Sequence, residues 1–279
     1  MDKIRLNKYL SDAGVCSRRE ADRLTEQGKI LVDGIPALVG MKVSDENDIL
    51  VDGRKVARQE RPVLLAVYKP EGIVCTTAKE EKDNIIDFLR YPARVYPVGR
   101  LDKASEGLIL MTNQGDLVNK ILRGGNAHEK EYIVKINRPV TREFLQAMSQ
   151  GVPILDTITR PCRTEKLDQY RFRIILTQGL NRQIRRMCEF LGVRVLSLKR
   201  VRVMNIGLEQ LKPGEYRQIQ GTELTTFLEQ LKDSLNEPGG KGGSPHPTTG
   251  RSNETRQTSD KRTKDNGHRT ETKSRKEIG

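Results

Sequence analysis

The sequence predicts an α+β protein with two folded modules and a polar tail, and three observations carry that expectation. Short helical and hairpin patterns fill residues 3–53, strand-like runs alternate with helical stretches over residues 63–235, and the composition changes abruptly at Asn236. A chain of 279 residues suits one catalytic-sized domain with a small accessory module and leaves little room for a third.

The elements follow in order. Ile4, Leu6, Tyr9 and Leu10 offer apolar contacts on a short first helix that Gly14 can end. Ser17 opens S-R-R-E, a capping box in which the Ser17 hydroxyl takes the Glu20 amide and the Glu20 carboxylate reaches back. A second helix is therefore expected from Arg18 to Gln27, with Ala21 and Leu24 facing inward and Gly28 ending it. Lys29–Val32 reads as a strand entering an Asp33-Gly34 turn, and another short strand after Met41 closes at Asp52-Gly53. Residues 54–62 form a charged linker ending in proline. Beyond it, strand-like runs at Leu64–Tyr68, Leu108–Thr112, Glu131–Ile136, Phe172–Leu176 and Val193–Leu198 alternate with helical stretches at Ile85–Leu89, Thr141–Gln150 and Asn181–Phe190. That is a mixed α/β domain of one core's size over residues 63–235. From 236 to 279 the only large aliphatic side chain is Ile278, and ordering that tail would cost far more conformational entropy than burying one isoleucine returns. It is expected to be disordered when free.

Charge narrows the partners. The net charge is +13, and the tail's ten Lys/Arg against six acids leave most of that excess on the folded part. Such an excess favours a polyanion, with nucleic acid ahead of an anionic membrane surface. No apolar run approaches the ~20 residues of a bilayer span, and MDKIRLNKYL lacks the apolar core of a secretory signal, so a cytoplasmic, monomeric protein is expected. Cys16, Cys75, Cys162 and Cys188 contain no CxxC pair and read as isolated thiols. His128 is the only histidine before residue 236, which disfavours an imidazole triad or a multi-histidine metal site. Carboxylates are left to carry any acid, base or nucleophile role, and neither metal nor cofactor is expected.

Two resemblances give these elements a function. R-L-N-K-Y-L-S-x-A-G-V-C-S-R-R-E-A-D-R-L followed by G-K-I-L-V-D-G resembles the S4 RNA-binding domain over residues 3–53. That resemblance implies that Arg5, Lys8, Arg18 and Arg19 face RNA phosphates; read without it, they are solvated helix charges. Arg18 and Arg19 occupy a helix first turn, where cations oppose the macrodipole, so local stability does not account for them.

The central motif is Y-P-V-G-R-L-D-K-A-S-E-G-L-I-L-M-T-N, residues 96–113. By itself Asp102, placed between a Gly-Arg turn and a strand, suits a turn or capping role. The stretch nevertheless resembles the catalytic motif of the pseudouridine synthases, in particular the S4-bearing RsuA-like family. Tyr68-Lys69-Pro70-Glu71-Gly72 resembles that family's opening strand and turn. Glu129-Lys130-Glu131-Tyr132-Ile133-Val134 resembles the strand whose tyrosine packs on the target uracil, which implicates Tyr132. Gly179-Leu180-Asn181-Arg182-Gln183-Ile184-Arg185-Arg186-Met187 resembles the segment that places a cation beside the aspartate, which implicates Arg185.

The resemblance therefore implies a small S4-type α/β RNA-binding domain followed by a mixed, mainly antiparallel pseudouridine synthase domain. Asp102, Tyr132 and Arg185 are its implied catalytic residues, with Asp102 attacking either base or sugar. Arg100 is implied to fill the gap left by the flipped uridine or to hold its phosphate. Seven basic residues between Arg182 and Arg202, Arg186 among them, against the single acid Glu189 suggest an RNA-tracking surface, although basic helices are commonly just solvated. Residues 83–88 and 118–132 look most like the RluF branch, which implies a uridine in 23S ribosomal RNA and extends the expectation to a tRNA anticodon stem-loop. The alternative is a non-enzymatic S4 protein that clamps ribosomal RNA. An S4-bearing tRNA synthetase or methyltransferase is disfavoured, because neither HIGH-like and KMSKS-like motifs nor a GxGxxG loop occurs in the folded part.

Overall fold

Alternating side chains decide the architecture. The computed structural model describes residues 3–57, 62–78, 80–122, 127–232 and 234, and the tail from 236 onward lies outside them. In the N-terminal module, β1 (Ile4–Arg5), α1 (Leu6–Asp12), α2 (Arg18–Glu26), β2 (Ile30–Val32), β3 (Ile35–Pro36), β4 (Lys42–Val43), β5 (Ile49–Val51) and β6 (Arg54–Lys55) follow one another. Leu6, Leu10, Ala21, Ile30, Val43 and Ile49 close its core. Ile4 was expected on the first helix but lies in β1, because Ile4 and Arg5 pair with Val43 and Lys42. The Ser17 hydroxyl accepts from the Glu20 amide as expected, whereas the Glu20 carboxylate takes Arg23 at 2.6 Å instead of reaching back. Positive φ at Asp33 and Gly34 joins β2 to β3 by the tight turn their sequence calls for. The hairpin sheet also runs two residues into the expected linker, since Leu50 and Val51 pair with Lys55 and Arg54.

The second part is built from β7 (Leu64–Lys69), α3 (Ile85–Leu89), β8 (Tyr96–Val98), β9 (Glu106–Thr112), α4 (Gly115–Leu122), β10 (Lys130–Ile136), α5 (Arg142–Gln150), β11 (Pro153–Ile154), β12 (Thr157–Ile158), β13 (Arg163–Lys166), β14 (Arg171–Leu176), α6 (Gln183–Phe190), β15 (Val195–Val203), β16 (Ile206–Gly207), β17 (Tyr216–Gln218) and α7 (Gly221–Gln230). Its main sheet runs β13-β14-β10-β15-β9-β7-β17, with β16 on β15 and β8 on β9. Pairing is antiparallel except between β9 and β15, so the fold is the mixed, mainly antiparallel α/β arrangement that the sequence predicts.

The sheet is covered on both faces, which explains why β7 is buried at every position. Leu64, Ala66 and Tyr68 point to a cluster with Ile121, Phe227 and Leu231, while Val63, Leu65 and Val67 point to one with Ile85, Leu89, Leu101 and Met111. A third cluster joins Val134 and Ile136 of β10 to Phe172, Met148 and the α6 residues Ile184 and Met187. Among the described residues no helix is long and apolar enough to cross a membrane.

Candidate active site

The turn between β8 and β9 holds Asp102 by its backbone. Gly99, at φ +80°, reverses the chain, and Leu101 buries its side chain in the core. The Leu101 amide donates to the Cys75 sulfur at 3.3 Å, the Ser105 amide donates to the Asp102 carbonyl at 3.0 Å, and the Gly72 amide donates to the Lys103 carbonyl at 2.8 Å. These anchors leave the Asp102 side chain partly exposed on a fixed support, lining a cleft of about 750 Å³.

Beneath the turn, fully buried Lys69 donates its Nζ to the Pro70 and Ile73 carbonyls at 2.7 and 2.8 Å. Burial pushes that ammonium down, although Glu71, Asp102 and Glu106 act in the other direction. Cys75, read from the sequence as an isolated thiol, is free as expected and also accepts the hydrogen bond that seats Leu101.

Tyr132 reaches the same cleft from β10. Alternation explains its placement: the face of β10 that is core at Val134 and Ile136 becomes cleft floor at Tyr132 and Lys130. Arg200 lies opposite Tyr132 on β15, beside a register shift between Glu131 and Tyr132. Such irregularities commonly re-aim side chains next to active sites.

Arg185 closes on the turn from α6. Its guanidinium donates to the Ala104 carbonyl at 2.6 Å and to the Ser105 hydroxyl at 3.2 Å. The sequence expectation placed this charge directly beside the Asp102 carboxylate; here its hydrogen bonds go to the turn that carries the aspartate. Arg186 points elsewhere, as consecutive helix positions require, and bonds Asn181 through its carbonyl and side chain.

The remaining basic candidates separate into groups. Arg100 and Arg182 are exposed and line the cleft, and Arg182 holds the left-handed conformation at the start of α6. Arg5, Arg18 and Arg19 are exposed on the N-terminal module. Lys8 lies between Asp12 at 3.2 Å and Asp116 at 3.0 Å, so its ammonium bridges the N-terminal module to α4. The expected RNA-tracking run from Arg182 to Arg202 is not one continuous surface. Arg200 is only 4% exposed and donates its Nε to the Leu108 carbonyl at 2.6 Å, while Arg202 pairs with Glu129 and Glu131. Two-residue spacing would put both side chains on one face, but the register shift that sets Arg202 opposite Glu131 and Arg200 opposite Tyr132, invisible in a charge count, sends them to opposite faces of the sheet.

The sequence reading gave Lys130 no role and placed Arg200 only in the RNA-tracking run, yet both line the cleft. The available signal was spacing, because Lys130 stands two residues before Tyr132 on one strand and so shares its face. Among the described residues, no group of three or more His, Cys, Asp or Glu side chains is arranged to hold a metal ion.

Both modules are similar to known proteins. The profile of the RNA pseudouridylate synthase family matches residues 63–190, and that of the S4 domain matches residues 4–50. The chain is 50% identical over 236 residues to the dual-specificity RNA pseudouridine synthase RluF of Escherichia coli strain K12, covering 84% of this chain and 81% of the relative. It is 34% identical over 230 residues to the ribosomal large subunit pseudouridine synthase B of Bacillus subtilis strain 168, covering 79% and 93%. A crystal structure of a pseudouridylate synthase superimposes with a TM-score of 0.59 at 27% identity, covering 82% of this chain and 99% of that one.

Proposed function

Because the chain belongs to the RNA pseudouridylate synthase family, within the S4-bearing RsuA-like group, it is an RNA uridine isomerase, and we propose that Asp102, Tyr132 and Arg185 perform its chemistry. The observation that carries this reading is the backbone-anchored Asp102 turn, which lines one cleft together with Tyr132 and is clamped by Arg185. Isomerisation breaks the N1–C1′ bond, turns the freed uracil and joins its C5 to C1′, with one proton lost from C5 and one gained at N1. The Asp102 carboxylate supplies the nucleophile. Tyr132 offers uracil a flat face and a hydroxyl within reach of a proton. Arg185 positions the Asp102 turn, and Arg100 and Arg182 meet the phosphates of the flipped nucleotide, whose unstacking costs a few kcal/mol.

Residues 1–53 supply RNA affinity through Arg5, Arg18 and Arg19, and residues 63–235 supply the chemistry. The substrate is a uridine of large-subunit (23S) ribosomal RNA, with a tRNA anticodon stem-loop as a second acceptor; the name of the Bacillus relative supports the large subunit, and the dual specificity in the name of the Escherichia relative supports a second acceptor. The enzyme works as a monomer in the cytoplasm. Mapping pseudouridine in ribosomal RNA and tRNA from a deletion strain, with and without the restored gene, tests the substrate. One large-subunit position should lose its pseudouridine and regain it; an unchanged ribosomal RNA map would remove the 23S assignment.

Arg185 and Arg186 give an internal comparison. Arg185→Met removes the clamp on the Asp102 turn and should lower the single-turnover rate at saturating enzyme at least tenfold, about 1.4 kcal/mol of transition-state stabilisation. Arg185→Lys should restore part of that rate. Arg186→Met loses only the Asn181 contacts and should leave the chemical step within about twofold. The opposite ranking would put the positioning role on the wrong arginine.

A further inference from the structure

Two cations stand on the cleft floor without a carboxylate partner. Lys130 and Tyr132 project from the same face of β10, and Arg200 faces them from the β15 position opposite Tyr132. Lys130 Nζ donates to the His128 carbonyl at 2.9 Å, and Arg200 Nε to the Leu108 carbonyl at 2.6 Å. Arg200 Nη2 is buried and has no hydrogen-bond partner. Glu131, the acid next in sequence, projects from the other face, where Arg173 and Arg202 take it. Burial and the neighbouring Arg200 push the Lys130 ammonium down to about 8. Like charges held this close in a poorly solvated place are costly unless something anionic joins them.

The anion is the base rather than a phosphate. RNA continues on both sides of a flipped nucleotide, so its phosphates stay where the chain can leave the cleft, and exposed Arg100 and Arg182 are there to meet them. The base travels furthest in, and Tyr132 is the aromatic ring that stands opposite Arg200 and on the face of Lys130. We propose that Lys130 and Arg200 form the subsite that holds uracil while it is detached and negatively charged, an assignment that rests on the pseudouridine synthase reading above.

The electron balance creates the charge that such a subsite would hold. When N1–C1′ breaks, its bonding pair remains on uracil, spread over N1, O2 and O4; in the sugar route the Asp102 carboxylate bonds C1′. After uracil turns, C5 takes C1′ from the carboxylate, C5 releases its proton, and N1 receives one. The negative charge therefore exists only between the two bond changes, and preorganised cations that strengthen their contact at that stage accelerate both. The charged or titratable groups that share the cleft or neighbour Lys130 are Arg200, Tyr132, His128, Asp102, Cys75, Tyr96, Arg100 and Arg182.

The test uses the full-length enzyme and a hairpin RNA carrying uridine or 5-fluorouridine at the target. Lys130→Met should lower the single-turnover rate at saturating enzyme at least about 30-fold near neutral pH, with RNA affinity within about threefold. Fluorine at C5 makes uracil a better anionic leaving group, so the same substitution should cost at least about fivefold less when loss of 5-fluorouridine is measured. In the wild type, Lys130 is charged below about 8, so its share of kcat/KM should be present below that pH and fall away above it. Lys130→Arg, charged throughout, should lack that fall. Arg200→Lys should show the same fluorine-dependent penalty, and thermal melting checks that each variant folds; the Lys130 variants decide the matter if the buried Arg200 position tolerates no change.

An equal penalty on both substrates, or a rate within twofold of wild type, overturns the proposal. Loss of RNA affinity with the chemical step intact would assign the pair to a phosphate and overturn it too. Wild-type enzyme that forms pseudouridine while the variants show one of these patterns leaves the parent reading standing; wild-type enzyme that forms none in any RNA overturns both.

Discussion

Asp102→Asn should reduce pseudouridine formation by at least ~10⁴-fold, about 5.5 kcal/mol of transition-state stabilisation, while RNA affinity stays within a few-fold. The amide keeps the shape of the side chain and removes the negative charge that makes it a nucleophile. The turn should survive, because the contacts that hold it run through the Leu101 and Ser105 amides, the Asp102 carbonyl and the Ala104 carbonyl under Arg185. None of these uses the carboxylate. Single-turnover assays on a hairpin RNA, with binding followed on the same material, separate the two quantities. Residual turnover above about 1% of wild type by pure protein would move the nucleophile elsewhere.

Gly107→Ala should be among the most destabilising single substitutions in the catalytic domain, because β9 and β15 touch there backbone to backbone. A Cβ at Gly107 would lie 2.2 Å from the Arg200 carbonyl oxygen and 2.7 Å from its amide nitrogen, and the residue sits at φ +106°. The neighbour is main chain in the parallel register of Arg200 with Gly107, so relief comes only by parting the strands. Steric overlap and left-handed strain together should cost at least ~3 kcal/mol. For a protein of this size that lowers the melting midpoint by roughly 6–12 °C. Gly179→Ala is the control, since a Cβ there meets nothing within 4 Å, and it should melt within about 2 °C of wild type. Equal melting of the two variants would contradict the close approach of β9 to β15. The same close approach fixes the Arg200 backbone, so catalytic loss in partly folded Gly107→Ala would follow from the displaced cleft floor.

Local signals were read well where they are complete within a few residues. The Ser17 cap, the Asp33-Gly34 turn and α3 at Ile85–Leu89 fall where the sequence puts them. Elements that depend on distant partners were not read. β8 is three residues of the Asp102 motif and is a strand only because β9 pairs with it. The last large strand was expected to stop at Leu198, before Lys199, Arg200 and Arg202, yet β15 continues to Val203 because β10 pairs along it. α7 escaped notice for a related reason, since threonines weaken its helical pattern and the packing of Phe227 and Leu231 against Leu64, Ala66 and Ile206 stabilises it.

By itself the sequence determined the order of the modules, the basic character of the chain, the family and the identity of Asp102 and Tyr132 as candidates, since these are written in contiguous motifs. Only the tertiary structure decided what each cation does. Arg185 clamps a turn, Lys8 bridges two acids, Arg202 joins Glu129 and Glu131, and Arg200 lies beneath the cleft beside Lys130. A charge is legible in one dimension, but its partners and solvent are fixed by which face of which strand carries it and by what packs opposite, and those are properties of the folded sheet.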